Sequence, residues 1–164
     1  MPVTNQVTNV VIAGLGGQGV LKASDILAEA AFRAGLDVKK SEVHGMSQRG
    51  GSVASDVRFG AKVHSPMVSE GQADFLVVLE PTQVQPNAHV LKAGGVLIQP
   101  ELIDPAALDN KRSLNVALLG ALSARLEISP QHWQAALEAN LPANARQANA
   151  RAFELGRGAA AKLK

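Results

Sequence analysis

Short apolar runs alternate along the chain with stretches in which apolar residues return every three or four positions. "NVVIA" (Asn9 to Ala13) is an uninterrupted, β-branched run, the pattern of a strand covered on both faces. Beyond a glycine-rich turn, Val20, Ala23, Ile26, Leu27, Ala30, Ala31 and Ala34 recur at helical spacing, and Gly35 follows as a C-terminal cap. "DVKKSEV" (Asp37 to Val43) reads as a second strand, less buried than the first. Strand, tight turn, helix and strand in about 35 residues predict a βαβ unit with a right-handed crossover and a parallel strand pair.

From Ser52 the pattern changes to alternation: Val53, Ser55, Val57 and Phe59 stand against Ser52, Ala54, Asp56 and Arg58. This is a strand with two unlike faces, as in antiparallel pairing. "AKVHSPMV" is expected to continue it as a hairpin partner ended by Pro66. "DFLVVLE" (Asp74 to Glu80) is the second candidate for a central strand. Pro81 opens a short helical stretch through Leu91 that stops at Gly94-Gly95, and "GVLIQP" supplies another buried strand. From Asn115 the period is helical throughout. "NVALLGALSARL" is apolar enough to lie inside, "SPQHWQAALEAN" starts with Ser129 as N-cap and Pro130 in the first helical position, and "NARQANARAFELGRGAAAKLK" forms a third helix with a basic end. No repeat or linker divides the chain. The expected fold is α/β: a single domain over residues 1–164, a three-layer α/β/α Rossmann-like arrangement with a mostly parallel sheet and a helical C-terminal end.

Composition narrows the chemistry. With 164 residues, 46% apolar and 18% charged, the chain can bury a core and is not of disordered type. Its net charge is only +2, basic residues do not cluster, and four Phe, one Trp and no Tyr leave little to stack bases. Nucleic-acid binding is disfavoured. No cysteine is present, so this chain holds no disulfide, cysteine nucleophile or cysteine-ligated iron–sulfur cluster. Neither a signal-peptide pattern nor an apolar run of the ~20 residues that span a membrane is seen. A cytoplasmic protein without membrane contact is expected.

Gly14, Gly16 and Gly19 satisfy G-x-G-x-x-G between the first strand and the first helix. In that reading Gly14 permits the sharp turn, Gly16 admits close approach of a ligand, and Gly19 lets helix and strand pack. Gly17 lowers the steric barrier further. The helix that follows offers unpaired N–H groups and a positive dipole end to a phosphate; the competing reading is a tight turn that binds nothing. Glu42 stands near the place where an NAD site carries its acid, but the second βαβ half of a dinucleotide fold is missing. "SEVHGMSQRGGSV" (Ser41 to Val53) groups Glu42, His44, Ser47, Gln48 and Arg49 beside Gly45, Gly50 and Gly51. In a parallel sheet this segment lies beside the glycine turn. Arg49 is then placed to pair with a carboxylate or phosphate held there, or else these residues meet another subunit. His64, His89 and His132 are isolated, without metal-ligand spacing. Ser47 near His44 is the closest approach to a nucleophilic arrangement, and Met46 and Met67 read as packing.

Taken together, "GLGGQGV", "SEVHGMSQRGGSV" and "SPMVSEGQADFLVVLEP" resemble the small (beta) subunit of indolepyruvate:ferredoxin oxidoreductase, and more widely the gamma domain of 2-oxoacid:ferredoxin oxidoreductases. "LNVALLGAL" and "NARAFELG" resemble the helical end of that family, so the likeness covers nearly the whole chain. The resemblance implies a subunit of an enzyme that oxidatively decarboxylates an aryl pyruvate, forms an acyl-CoA and reduces ferredoxin. Thiamine diphosphate and the iron–sulfur clusters would belong to a larger partner subunit. It also implies that coenzyme A docks at the glycine turn, with Gly14, Gly16, Gly17, Gln18 and Gly19 as contacts and Ser47 and Arg49 nearby. The remaining alternatives are a stand-alone NAD- or FAD-binding oxidoreductase and an assembly module with an empty turn. One departure stands out: the segment between "GVLIQP" and "LNVALLGAL" is short, where the family usually has another strand.

Overall fold

The computed structural model describes residues 6–44 and 51–163. Five strands form one sheet: β1 (Val7–Leu15), β2 (Asp37–His44), β3 (Ser52–Gly60), β4 (Ala73–Val78) and β5 (Leu91–Ile98). Among the described residues five α-helices accompany them: α1 (Val20–Arg33), the single turn α2 (Val84–Asn87), α3 (Leu114–Ser123), α4 (Pro130–Asn140) and α5 (Arg146–Ala159). The strand order is β2-β3-β1-β4-β5.

The α/β class holds, but the sheet is mixed rather than mostly parallel. β4 pairs parallel with β1 and β5 with β4, while β3 runs antiparallel to both β1 and β2. β1 and β2 do run in the same direction, as the crossover through α1 requires. They are not paired, because β3 lies between them with Val10 facing Val57 on one side and Lys40 facing Val57 on the other. The alternation read from Ser52 is that of this inserted strand: Ser55, Val57 and Phe59 are buried, and Ala54, Asp56 and Arg58 half-buried.

The expected hairpin partner at 61–68 is not a strand. Both edges of β3 are already occupied, so no ladder is available to it. Two carboxylates receive its N–H groups instead: Val63 N–H donates to Asp37 at 2.8 Å and Val68 N–H to Asp56 at 2.9 Å. Arg58 Nη1 donates to the Ser65 carbonyl at 2.7 Å. The Val63 bond holds the Asp37 carboxyl below its ordinary pKa, whereas burial pushes that of Asp56 up. β5 starts earlier than expected, at Leu91, and is a half-buried edge strand. Gly94-Gly95 do not stop a helix there. They form an irregularity within β5, where Gly94 has φ +80° and the register shifts between Ala73 and Phe75.

The long helices all belong to one core. Val10, Ile12, Val57, Val77 and Ile98 face α1 and α3, and α4 and α5 close over these through Trp133, Ala136 and Phe153. The opposite face is a smaller cluster, with Val11, Ala13, Leu76 and Val78 covered by Val68, Val84 and Val90 from the irregular segment and the short helical stretch. Gly35 is the αL residue just past α1, with φ +85°, and Ser129 is the α4 N-cap by backbone alone, without a side-chain cap bond.

Helix α3 is buried on nearly every side, and α5 reaches it by backbone contact. A Cβ on Gly156 would stand 1.7 Å from the Ala117 carbonyl oxygen, and one on Gly120 would stand 2.0 Å from that of Phe153. Neither obstacle is a flexible side chain, so the helices must separate to admit a methyl group. Gly156→Ala is therefore expected to cost about 3 kcal/mol or more, read as a lower urea midpoint. Gly158→Ala meets nothing within 4 Å and is expected to gain about 0.5–1 kcal/mol from helix propensity in the same titration.

Candidate functional site

β1 ends at the glycine turn, whose residues divide the work differently from the expectation. The turn conformation is carried by Gly17 and Gly19, with φ +89° and +87°. Gly14 has an ordinary φ and is needed for packing: a Cβ there would lie 2.9 Å from Gln18 Oε1 and from Val20 Cγ2. The Gly16 N–H is spent on the Gly51 carbonyl at 2.9 Å, which ties the turn to the start of β3. Gln18 is a bracket. Its Oε1 accepts from Leu15 N–H at 2.8 Å and its Nε2 donates to Glu80 Oε2 at 3.0 Å. Gly17 faces open space, with nothing within 4 Å of a Cβ.

Gly19 is the N-cap of α1, and what it approaches is not a strand but Asn115 at the start of α3. Asn115 is 7% exposed; its Nδ2 donates to the Gly19 carbonyl at 3.2 Å and its Oδ1 accepts from Val116 N–H at 2.9 Å. A Cβ on Gly19 would fall 2.4 Å from Nδ2. One buried amide thus fastens the N-termini of α1 and α3 side by side. The first backbone bond of α1 is Ala23 N–H to Gly19 O at 3.0 Å. The N–H groups ahead of it have no side-chain cap and no acidic residue in the first turn, which leaves the helix end open to an anion.

Between the two helix ends lies a cavity of about 310 Å³ lined by Gly17, Gln18, Gly19, Leu79, Leu114 and Asn115 together with the exposed Lys111 and Arg112. These two cations come from a short turn, Lys111–Ser113, just before α3. No motif marks them in the sequence: they sit in the short segment between Pro100 and Leu114, outside both the glycine turn and the second motif. In place of a further strand, that segment holds three 3₁₀ turns. A larger groove of about 480 Å³ between α4 and α5 shares no lining residue with this cavity.

The residues proposed from the second motif fare unevenly. Met46, Ser47, Gln48 and Arg49 lie outside the described residues. Glu42 does not occupy the acid position of an NAD site. With β3 interposed, β2 stands roughly 10 Å from β1, and Glu42 is engaged by Lys40 Nζ at 3.1 Å, which also pairs with Asp25. Burial disfavours the Lys40 ammonium, but the bonds to Asp25 and Glu42 outweigh it and hold its pKa above the ordinary value. No helix among the described residues is long and apolar enough to cross a membrane.

The Gly19–Asn115 contact is open to a double-mutant cycle. Gly19→Ala is expected to cost about 2–4 kcal/mol from its left-handed φ and the clash. Asn115→Ala is expected to cost about 1–3 kcal/mol by leaving the Gly19 carbonyl and Val116 N–H without that partner. Removal of the amide also removes the obstacle, so the double variant should fall short of the sum by about 0.5–3 kcal/mol in denaturant titration.

Known proteins resemble this chain in sequence and in fold. The model of the pyruvate ferredoxin/flavodoxin oxidoreductase family matches residues 9–159. The chain is 34% identical to the indolepyruvate oxidoreductase subunit IorB of Thermococcus kodakarensis, with 94% of this chain and 96% of that one covered. That alignment runs to 195 positions, more than this chain possesses, so the relative carries stretches without a counterpart here. Among solved structures, the gamma subunit of a keto/oxoacid ferredoxin oxidoreductase from Geobacter sulfurreducens superposes with a TM-score of 0.80 at 26% identity, covering 94% of this chain and 99% of that one. A 2-oxoglutarate:ferredoxin oxidoreductase from Magnetococcus marinus, solved with 2-oxoglutarate, coenzyme A and succinyl-CoA, shares the fold at 21% identity and a TM-score of 0.84, covering 97% of this chain and 32% of that one. With the match running from the first strand through the last helix, the chain belongs to the pyruvate ferredoxin/flavodoxin oxidoreductase family, as a subunit of an oxidoreductase complex.

Proposed function

We propose that the chain is the small subunit of an oxidoreductase that converts an aryl pyruvate, indolepyruvate in the first instance, to its acyl-CoA and passes the electrons to ferredoxin. The observation that carries this reading is the uncapped N-terminus of α1 behind a glycine turn, opening on a cavity with two cations at its side. Such a corner suits the phosphates of coenzyme A. The aryl pyruvate comes from relatives named as indolepyruvate oxidoreductase subunits over nearly their full length. Thiamine diphosphate and the iron–sulfur clusters fall to a larger partner, since this chain has no cysteine to ligate a cluster. The role of this chain is to dock beside that centre and hold the nucleotide end of coenzyme A, through the backbone at Gly17 and Gly19, the Gly16 N–H being spent on Gly51, and with Ser47 and Arg49 of the second motif.

Purification of the tagged chain from its native cell should bring down a thiamine-containing, iron–sulfur chain whose ferredoxin reduction with indolepyruvate requires coenzyme A. Recovery of the chain alone, with NAD(H) bound and hydride transfer to a substrate, would replace this reading with that of a stand-alone dehydrogenase. Within the complex, Gly17→Asp sets a carboxylate at the open side of the turn; the positive φ strains any side chain there, a cost that the isosteric Asn variant shares. The apparent affinity of the Asp variant for coenzyme A should drop at least about tenfold through like-charge repulsion, while the neutral control Gly17→Asn retains most of it. Equal behaviour of the two variants would count against an anion at the turn.

A further inference from the structure

We propose that two copies of this chain pair through the open edge of β2, antiparallel about a two-fold axis at Ser41, so that their sheets become one. The pairing is independent of what the glycine turn binds. Three observations carry it. First, β2 and β5 are the outer strands of the sheet. An outer strand offers a row of unpaired N–H and C=O groups, which proteins blunt with proline, bulges or charges. β5 is blunted, since Gly94 with φ +80° and a register shift interrupt its ladder. β2 is not: it pairs with β3 in unbroken register from Asp37 to His44 and contains no proline. The Lys40 ammonium, a charge that would guard the edge, is drawn back onto Asp25 of α1 and neutralised by Glu42.

Second, exposed apolar side chains gather at this edge. Among the described residues the large hydrophobics left exposed are Phe32, Val43 and Met67. Val43 is on β2 itself, and its β3 partner Ala54 packs on the smaller core cluster, so Val43 stands on that face of the sheet. Met67 precedes Val68 of the same cluster, and Val68 is held by Asp56, the β3 residue opposite Ser41. Phe32 lies on the other face, where it shares a hollow with Val38 and Lys40 of β2. Apolar surface thus flanks the edge on both faces, which widens a strand contact toward the roughly 1,600 Å² of a stable interface.

Third, the strand is complementary to itself in one register. Two-fold symmetry makes both copies turn the same alternate residues outward, so a residue faces only itself or one an even number of positions away. With Ser41 on the axis, Lys40 of each copy faces Glu42 of the other. Within a chain Lys40 and Glu42 are already 3.1 Å apart, so the four charges alternate in sign around the axis. Moving the axis by one residue sets Lys40 against Lys40 or Glu42 against Glu42, like charges directly opposite, which destabilise a sheet. A second copy is therefore the occupant that the edge fits.

The chain has no cysteine, so Ser41→Cys gives each copy a single thiol, which the axis sets against its own equivalent. On mild oxidation S41C is expected to cross-link into a covalent dimer, both alone and in the complex with the thiamine-containing partner. A106C, on the exposed 3₁₀ turn Pro105–Ala107, should stay largely unlinked. In sedimentation, K40E and E42K should each raise the dimer dissociation constant at least about tenfold through like-charge opposition. Mixing the two variants in equal amounts should restore the wild-type value, because the carboxylates of one then face the ammonium groups of the other. A folding defect would not be rescued by mixing. A wild-type chain that sediments as a monomer, together with S41C that fails to cross-link alone and in the complex, overturns the proposal. So does protection of the β2 amides from hydrogen exchange that follows the concentration of the thiamine-containing partner and not that of this chain.

Discussion

Two close backbone approaches fix helix α3, and much of the molecule is arranged around it. On one side Gly120 and Gly156 let α5 come within a carbonyl oxygen of α3, where any side chain would force the helices apart. At the other end the Asn115 amide reaches across to the Gly19 carbonyl and forbids a Cβ there. α3 is apolar on almost every face, so hydrophobic burial drives it inward. Burial is non-directional, however, and does not choose its rotation or depth. The glycines and the single buried amide choose both.

The candidate site follows from that placement. Because Asn115 fastens α3 to α1, the two helix N-termini open on a common cavity, and the turn preceding α3 is delivered to its edge with Lys111 and Arg112. The same contact gives Gly19 a role different from that of the third glycine in a dinucleotide fold. Close approach is still the reason for glycine, but the neighbour is a helix-borne amide. Insertion of β3 has a matching effect on the other flank. It moves Glu42 away from the turn and into an ion pair with Lys40, which removes the acid that a nicotinamide ribose would need, and it brings Gly51 to the turn through the Gly16 N–H.

Local pattern was a good guide wherever a residue's fate is decided by its near neighbours in the chain. The apolar run at Val10–Ala13, the period of α1, the αL glycine at Gly35, the proline start of α4 and the buried character of α3 were all legible in this way. So was the two-faced alternation of β3. Periodicity says nothing, though, about which strand a strand will meet. The segment at 61–68 has hairpin-like composition yet finds both edges of β3 taken, and Asp37 and Asp56 satisfy its N–H groups instead. Likewise Gly94-Gly95 punctuate a strand rather than end a helix, because β5 must regain register with β4.

The residues by themselves determined the class of fold, the position of the glycine turn and, through three motifs with which the lack of cysteine agrees, the family to which the chain is similar. They did so because turn chemistry, helical period and the presence or absence of a ligand atom are local or countable properties. Only the tertiary structure decided that the sheet is mixed, that Gly17 and Gly19 rather than Gly14 carry the turn's left-handed backbone, and that Lys111 and Arg112 face it. Residues more than ninety positions apart in the chain become neighbours through one buried amide. Nothing in the immediate surroundings of either Gly19 or Asn115 announces the other, since their contact is a product of how two helices pack on a sheet.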